Sequence, residues 1–108
     1  MKIPSNASIP SEKLTRYLLI FRQEDDKSKL LAQAGFTLDN PDALDTALRQ
    51  HIAESEAVEQ RATIYGVFFE VSGRLIGVNG RILDIISIWL QVAASGEFRF
   101  ITLKRWRR

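Results

Sequence analysis

The spacing of hydrophobic residues along the chain changes near Arg61. Before this residue, apolar positions recur every three or four residues, as they do on one face of an α-helix. After it, they recur with a period close to two, as they do along a β-strand. The pattern therefore predicts helices in the first half of the chain and strands in the second half.

Three helices are predicted in the first half. The first begins at Pro10, whose fixed φ suits the first turn of a helix. Its core-facing residues are predicted to be Leu14, Tyr17, Leu18 and Phe21. Asp25 or Asp26 is expected to cap the second helix, and Gly35 to end it, because glycine readily takes the left-handed conformation found just after helices.

The third predicted helix has the clearest signals at its start. Asn40 is the expected N-cap, and Pro41 occupies the first helical position. One face of this helix is apolar with helical spacing, and such a stripe packs against a core. The predicted stripe consists of Leu44, Ala47, Leu48, His51 and Ile52.

Two runs with strand-like composition flank the dipeptide Asn79-Gly80, which is a strong hairpin signal. If this dipeptide forms the centre of a two-residue turn, paired positions have numbers that sum to 159, as 79 and 80 do. The predicted core face then carries Tyr65, Val67, Phe69, Val71, Leu75, Ile86, Ile88 and Leu90. The predicted outer face carries Phe68, Glu70, Ser72, Arg74, Ile85, Ser87, Trp89 and Gln91. Asp84 falls on the core face, so a β-bulge is expected near Gly73 or Gly77.

A further strand is predicted after a turn at residues 93–97. Phe98 and Phe100 are expected to point inward, and Arg99, Ile101 and Leu103 outward. We therefore predict one α+β domain spanning residues 1–108, with about three N-terminal helices on one face of a C-terminal antiparallel meander. The meander has three to four strands, since residues 58–64 or the N-terminus can supply a fourth.

Composition excludes several kinds of site. The 108 residues include no cysteine and one histidine, which excludes disulfides, thiolate zinc sites, a cysteine nucleophile and a polyhistidine metal site. No metal or other cofactor is predicted. The chain has neither an apolar run long enough to cross a bilayer nor the apolar core of a secretory signal. We predict a cytoplasmic protein with no membrane partner.

Positive charge is concentrated in the predicted sheet. Residues 1–60 contain seven Lys/Arg and ten Asp/Glu, a balance of −3, whereas residues 61–108 contain eight Lys/Arg and three Asp/Glu, a balance of +5. A cationic half of this kind indicates an anionic partner, and chance distribution over a solvated surface is the alternative.

The predicted register assembles a candidate catalytic group on the outer face of the hairpin. Glu70 lies opposite Trp89, with Arg99 beside Trp89 and Arg74 further along the strand of Glu70. A phosphodiester could bind there, with Glu70 as base, Arg74 and Arg99 stabilising charge, and Trp89 stacking on a nucleotide base. The alternative is an ordinary cross-strand ion pair packed over an aromatic ring.

The last five residues form a second candidate. Cationic residues interleaved with tryptophan suit contacts with a nucleic-acid backbone, whereas a solvated terminus is the alternative. This candidate segment contains Lys104, Arg105, Trp106, Arg107 and Arg108. Arg81, beside the predicted turn, joins the nucleic-acid-binding candidates. His51 can act as a general acid or base, but its place on an apolar stripe favours a hydrogen-bonded core histidine.

Five blocks of the sequence resemble one family. They are IPSEKLTRYLL, DDKSKLLAQAGF, YGVFFEVSGRLIGVNGR, SIWLQ and FRFITL. In order and spacing they resemble domain-of-unknown-function family 6883, which is frequent in cyanobacteria. This resemblance implies no catalytic residues. Family members tend to end in Tyr-Pro after the last strand, where this chain has residues 104–108 instead.

The resemblance and the predicted fold lead to two hypotheses. Helices followed by a meander are similar to the barnase/RelE-type ribonuclease toxins, which implies a toxin–antitoxin-like domain that binds or cleaves RNA. The alternative is a non-catalytic interaction module that pairs with a small partner protein or with itself through the outer face or an open sheet edge. Fold similarity alone does not decide between them.

Overall fold

The computed structural model describes residues 1–19 and 27–107. The predicted core residue Phe21, the cap candidates Asp25 and Asp26, and the tail residue Arg108 lie outside the described residues. The helices are α1 (Ser11–Lys13, continued by a π-helical turn at Leu14–Leu18), α2 (Lys27–Ala32) and α3 (Pro41–Glu54). The strands are β1 (Ala57–Thr63), β2 (Gly66–Ile76), β3 (Ile82–Val92) and β4 (Phe98–Arg105).

The four strands form one antiparallel sheet in the order β1-β2-β3-β4. This confirms the predicted α+β meander with its helices before the sheet, and β1 is the fourth strand that the sequence left open. Before α1, Ser8 forms an isolated bridge with Arg99 of β4. No helix in the described ranges is long and apolar enough to span a membrane.

Helix α3 packs as its sequence predicts. Pro41 is its first residue, and all five predicted stripe residues are buried. Asn40 does not cap the helix with its side chain. Its amide instead ties the preceding loop together, accepting from the Thr37 backbone N–H at 2.8 Å and donating to the Gly35 carbonyl at 3.0 Å.

The predicted register of the central hairpin is wrong by one residue. Paired positions of β2 and β3 sum to 158, as in Phe69↔Trp89 and Arg74↔Asp84. The turn has three residues, 78–80, because Gly77 N–H donates to Arg81 C=O at 2.7 Å and Gly80 N–H donates to Gly77 C=O at 3.1 Å. A two-residue turn with Asn79 at its centre needs a positive φ at Asn79, and among the described residues only glycines have one.

Packing against residues 33–34, which directly follow α2, favours this wider turn. The Asn79 side-chain amide donates to the Gln33 carbonyl at 3.0 Å. Gly77 lies so close to Ala34 that an added Cβ would be 2.4 Å from the Ala34 carbonyl oxygen. Gly80, with φ of +84°, completes the turn in the left-handed conformation. These tertiary contacts therefore favour the three-residue turn, a length that the Asn79-Gly80 dipeptide alone does not specify.

A one-residue change of register moves every side chain of β3 to the other face of the sheet. The buried residues of β3 are Leu83, Ile85, Ser87 and Trp89. They share the core face with Phe69, Val71 and Leu75 of β2. The sequence predicts these three β2 residues in the core correctly. The placement of Ile86, Ile88 and Leu90 in the core was wrong, and so was that of Tyr65, which is 71% exposed.

The irregularities of register lie in the β1–β2 and β3–β4 pairs rather than in the β2–β3 hairpin. Asp84 lies opposite Arg74 on the outer face, and the β2–β3 register is continuous, so no bulge is needed to accommodate it. One irregularity lies between Ile88 and Trp89, where β3 meets β4. It places Leu103 in the core, whereas the sequence predicted it outside. Phe98 and Phe100 are buried, as predicted.

Candidate nucleic-acid interface

Trp89 is the predicted site residue whose observed position differs most from its predicted position. It is 0% exposed and lies in the core, so its predicted role as a stacking surface on the outer face is wrong. Its ring packs edge-on against Phe100, with 5.2 Å between ring centroids. The one-residue change of register is the cause, because Trp89 pairs with Phe69 rather than with Glu70.

The three predicted catalytic residues are spread over the outer face. Glu70 pairs with Ile88, Arg74 pairs with Asp84, and Arg99 pairs with Leu90. Arg74 is four residues from Glu70 along β2, a separation of about 14 Å at the rise of an extended strand. The register therefore does not bring these residues together, and their catalytic roles stay predictions.

A different set of side chains surrounds Glu70. The outer-face cup is a cavity of about 330 Å³ lined by Gln60, Arg61, Phe68, Glu70 and Ile88. A bulge in β1 forms one wall, because Gln60 and Arg61 both fall in the irregular step between Glu59 and Ala62. The Arg61 guanidinium carbon lies 5.2 Å from the centroid of the Phe68 ring, a cation–π contact.

A second cavity, of about 430 Å³, lies between α2 and the end of β4. This basic groove is lined by Lys27, Lys29, Leu30, Gln33, Lys104, Arg105 and Arg107. The Lys27 ammonium donates to Thr102 Oγ1 at 2.8 Å and lies 5.3 Å from the Tyr17 ring centroid. These contacts fix α2 beside β4, so cations that are distant in sequence line one surface.

The predicted basic tail is largely part of the sheet. Lys104 and Arg105 are the last residues of β4, and the Trp106 backbone N–H donates to the Asp84 carbonyl at 3.0 Å. The Trp106 side chain is partly exposed and does not line the basic groove. Arg81 is exposed beside the hairpin turn and is likewise not part of the groove lining.

The His51 ring is buried and has a hydrogen-bond partner at each of its two nitrogens. Its Nδ1 is 3.3 Å from the Arg74 carbonyl oxygen, and its Nε2 is 2.8 Å from Ser87 Oγ. A carbonyl only accepts, so Nδ1 carries the proton and Ser87 Oγ–H donates to Nε2. The same Oγ accepts from Trp89 Nε1–H at 2.8 Å. Burial lowers the pKa of His51 below its ordinary value of 6.5, so the neutral form is favoured.

Residues 2–105 match the family described as "Domain of unknown function (DUF6883)". The chain belongs to this family. The resemblance of the five sequence blocks is thereby confirmed. The DUF6883 chain is also similar to a chain of the solved "Contact-dependent growth inhibition toxin - immunity protein complex from Klebsiella pneumoniae 342". The TM-score is 0.67 and the identity 20%, over 96% of this chain and 97% of the other, which indicates a shared fold. No curated protein matches the DUF6883 chain at a significant level.

Sequence reasoning missed part of both cavities in this DUF6883 chain. Lys27 and Lys29 lie in the second predicted helix, and their proximity to β4 is a tertiary feature that helical spacing does not indicate. Gln60 and Arg61 reach the cup through a bulge, which no local pattern in β1 indicates. The described residues contain no cluster of three or more His, Cys, Asp or Glu side chains that could hold a metal ion.

Proposed function

We propose that this protein is an RNA-binding domain of the toxin type, which binds the phosphate backbone of single-stranded RNA in the basic groove. The observation that carries the proposal is the convergence of cations from α2 and from the end of β4 on one cavity. Phosphate contacts by Lys and Arg supply most of the affinity of non-specific nucleic-acid binding. The excess charge of +5 over residues 61–108 adds a longer-range attraction for the same anion.

The fold comparison fits a toxin-type domain and equally a domain that binds such a toxin. The similar solved chain comes from a complex of a growth inhibition toxin with its immunity protein. We place the protein in the cytoplasm, where RNA is available. Cleavage of bound RNA, with Glu70 as general base and Arg74 and Arg99 as charge stabilisers, stays a prediction from the sequence, since these residues are dispersed over the outer face.

Removing cations from the basic groove is expected to weaken RNA binding and its dependence on salt. We expect Lys104→Gln combined with Arg105→Gln to lower affinity for a single-stranded RNA oligonucleotide at low salt. If each side chain neutralises one phosphate, the slope of log K against log salt falls by about 0.7 per residue. Fluorescence anisotropy at four or five salt concentrations measures both quantities.

Lys2→Gln is the matched control, because it removes one exposed ammonium next to Glu56, on the side of β1. It is expected to leave the salt slope unchanged. The proposal is contradicted if the wild type does not bind RNA. It is also contradicted if the groove variant and the wild type have the same salt slope.

A second candidate function is docking of a partner protein on the outer face. Phe68 and Leu90 pair across β2 and β3, and Ile86 and Ile88 follow on the same face of β3. All four are partly exposed, because the core lies on the other side of the sheet. Adjacent exposed apolar residues usually mark a protein interface. A second copy of the chain is the partner that the isolated protein can test.

Self-association through this face is expected to disappear in Leu90→Glu, because the variant places a charge within the apolar row. Sedimentation velocity over a hundredfold range of concentration measures the equilibrium. Leu38→Glu is the control, since Leu38 is 52% exposed in the loop before α3. A wild type that stays monomeric throughout excludes the second copy as the partner.

A further inference from the structure

We propose that the outer-face cup binds a guanine base of the RNA whose phosphates lie in the basic groove. The inference rests on the proposed function and specifies which base the domain prefers. It assigns Glu70 as the group that recognises the base and the Arg61–Phe68 pair as the surface on which the base stacks. None of the three depends on the predicted position of Trp89.

The platform is built by the β1 bulge. With Gln60 and Arg61 both placed beside Phe68, the guanidinium covers one face of the aromatic ring at 5.2 Å. Nucleotide bases in single-stranded RNA stack on aromatic rings and on the planes of arginine side chains. The cup volume of about 330 Å³ lies at the lower end of the range found for small-molecule sites.

Glu70 provides an acceptor at the edge of this platform. It is partly buried, and none of the hydrogen bonds or ion pairs of the described residues includes its carboxylate. An ionised carboxylate has two oxygens that only accept, so it binds best to two parallel N–H donors. Gln60, which donates to the Val58 carbonyl at 3.4 Å, retains a second amide hydrogen for a further acceptor on the base.

Guanine is the common base that matches this set of groups. Its Watson–Crick edge presents N1–H and the N2 amino group side by side, both of which can donate to one carboxylate. Adenine presents a ring acceptor beside its amino group, and uracil and cytosine each offer one donor on this edge. A base with an acceptor facing Glu70 would leave two acceptors opposed, which is unfavourable.

One row of the sheet joins the cup to the basic groove. Glu70 pairs with Ile88, and Ile88 pairs with Thr102. Thr102 Oγ1 accepts from the Lys27 ammonium, and Lys27 lines the groove. Two strand spacings separate Glu70 from Thr102, a distance of about 10 Å. An RNA strand with its base in the cup can therefore place a neighbouring phosphate at the near end of the groove.

Mononucleotides test the cup separately from the groove. In a titration followed by NMR amide shifts, GMP is expected to bind at least about tenfold more tightly than AMP, the discrimination typical of one good bidentate contact. IMP, which keeps N1–H but lacks the N2 amino group, is expected to fall between them. Glu70→Gln is expected to remove the preference for GMP, because the amide presents a donor in place of one acceptor.

Two controls make the outcome specific. Glu12→Gln removes an exposed carboxylate from α1 and is expected to preserve the preference for GMP. Phe68→Leu removes the platform and is expected to weaken binding of both GMP and AMP. Equal binding of GMP and AMP by the wild type, or an undiminished preference in Glu70→Gln, overturns the inference.

Failure of this inference and failure of the proposed function give different results. If the groove variant weakens binding of RNA oligonucleotides of every composition while GMP shows no preference, the RNA-binding proposal stands and the guanine site does not. If GMP is preferred but oligonucleotide binding does not respond to the groove variant, the basic groove is not the phosphate site.

Discussion

Replacing Trp89 by alanine is expected to lower the free energy of unfolding by about 3–5 kcal/mol. The side chain is fully buried, packs against Phe100 and donates its Nε1–H to Ser87. Alanine leaves a cavity at this position and deprives the Ser87 hydroxyl of a donor. Since domains of this size are stable by about 5–15 kcal/mol, the loss is a large fraction of the total. Urea unfolding followed by far-UV circular dichroism measures it.

Trp106→Ala is the matched control, because Trp106 is only partly buried near the end of the described chain. Its expected effect is well below that of Trp89→Ala. Trp89→Phe keeps an aromatic ring in the core but loses the N–H donor, so its effect is expected to be intermediate. A loss below about 0.5 kcal/mol in Trp89→Ala would be typical of a surface position. That result would contradict the observed register and favour the one predicted from the sequence.

The hairpin shows why the sequence predicted its existence but not its register. Strand β3 is apolar on both faces, with Ile85 and Trp89 on one and Ile86 and Ile88 on the other. A period of two does not indicate which face of such a strand is buried, so the register depends on the geometry of the turn. The turn is held by contacts of Asn79 and Gly77 with residues 33–34, just after α2, and these contacts are long-range in sequence. The unexplained position of Asp84 was the one local sign that the register was wrong.

Helix α3 was predictable because local and tertiary preferences agree there. Pro41 begins it, and its apolar stripe has one orientation that buries Leu44 and Leu48.

The candidate sites could not be predicted in the same way. The cup depends on a bulge at Gln60 and Arg61, and the groove depends on how a short helix packs beside β4. The sequence identified Glu70, Lys104, Arg105 and Arg107 as candidates by charge, but not the residues that accompany them.

Acidification below pH 6.5 is expected to destabilise the fold through His51. Burial lowers the pKa of His51 in the folded protein, partly opposed by backbone carbonyls and by Glu54. The unfolded chain therefore takes up a proton near pH 6.5, while the folded protein does so only at lower pH. The stabilisation is complete above pH 6.5 and is expected to fall by about 1.4 kcal/mol per pH unit, until the lowered pKa of His51 is reached.

The attribution to His51 is direct, because the chain contains one histidine. Glu56, whose pKa is lowered by its contact with the N-terminal ammonium at 2.8 Å, contributes in a separate window below its ordinary value of 4.5. Urea unfolding between pH 5 and 8 measures the slope, and His51→Gln is expected to remove it above pH 5. An NMR titration of the imidazole gives an independent reading in the folded wild type. A pKa of 6.5 or higher there would contradict the prediction, because it would mean that burial does not outweigh the backbone carbonyls and Glu54, which raise the pKa.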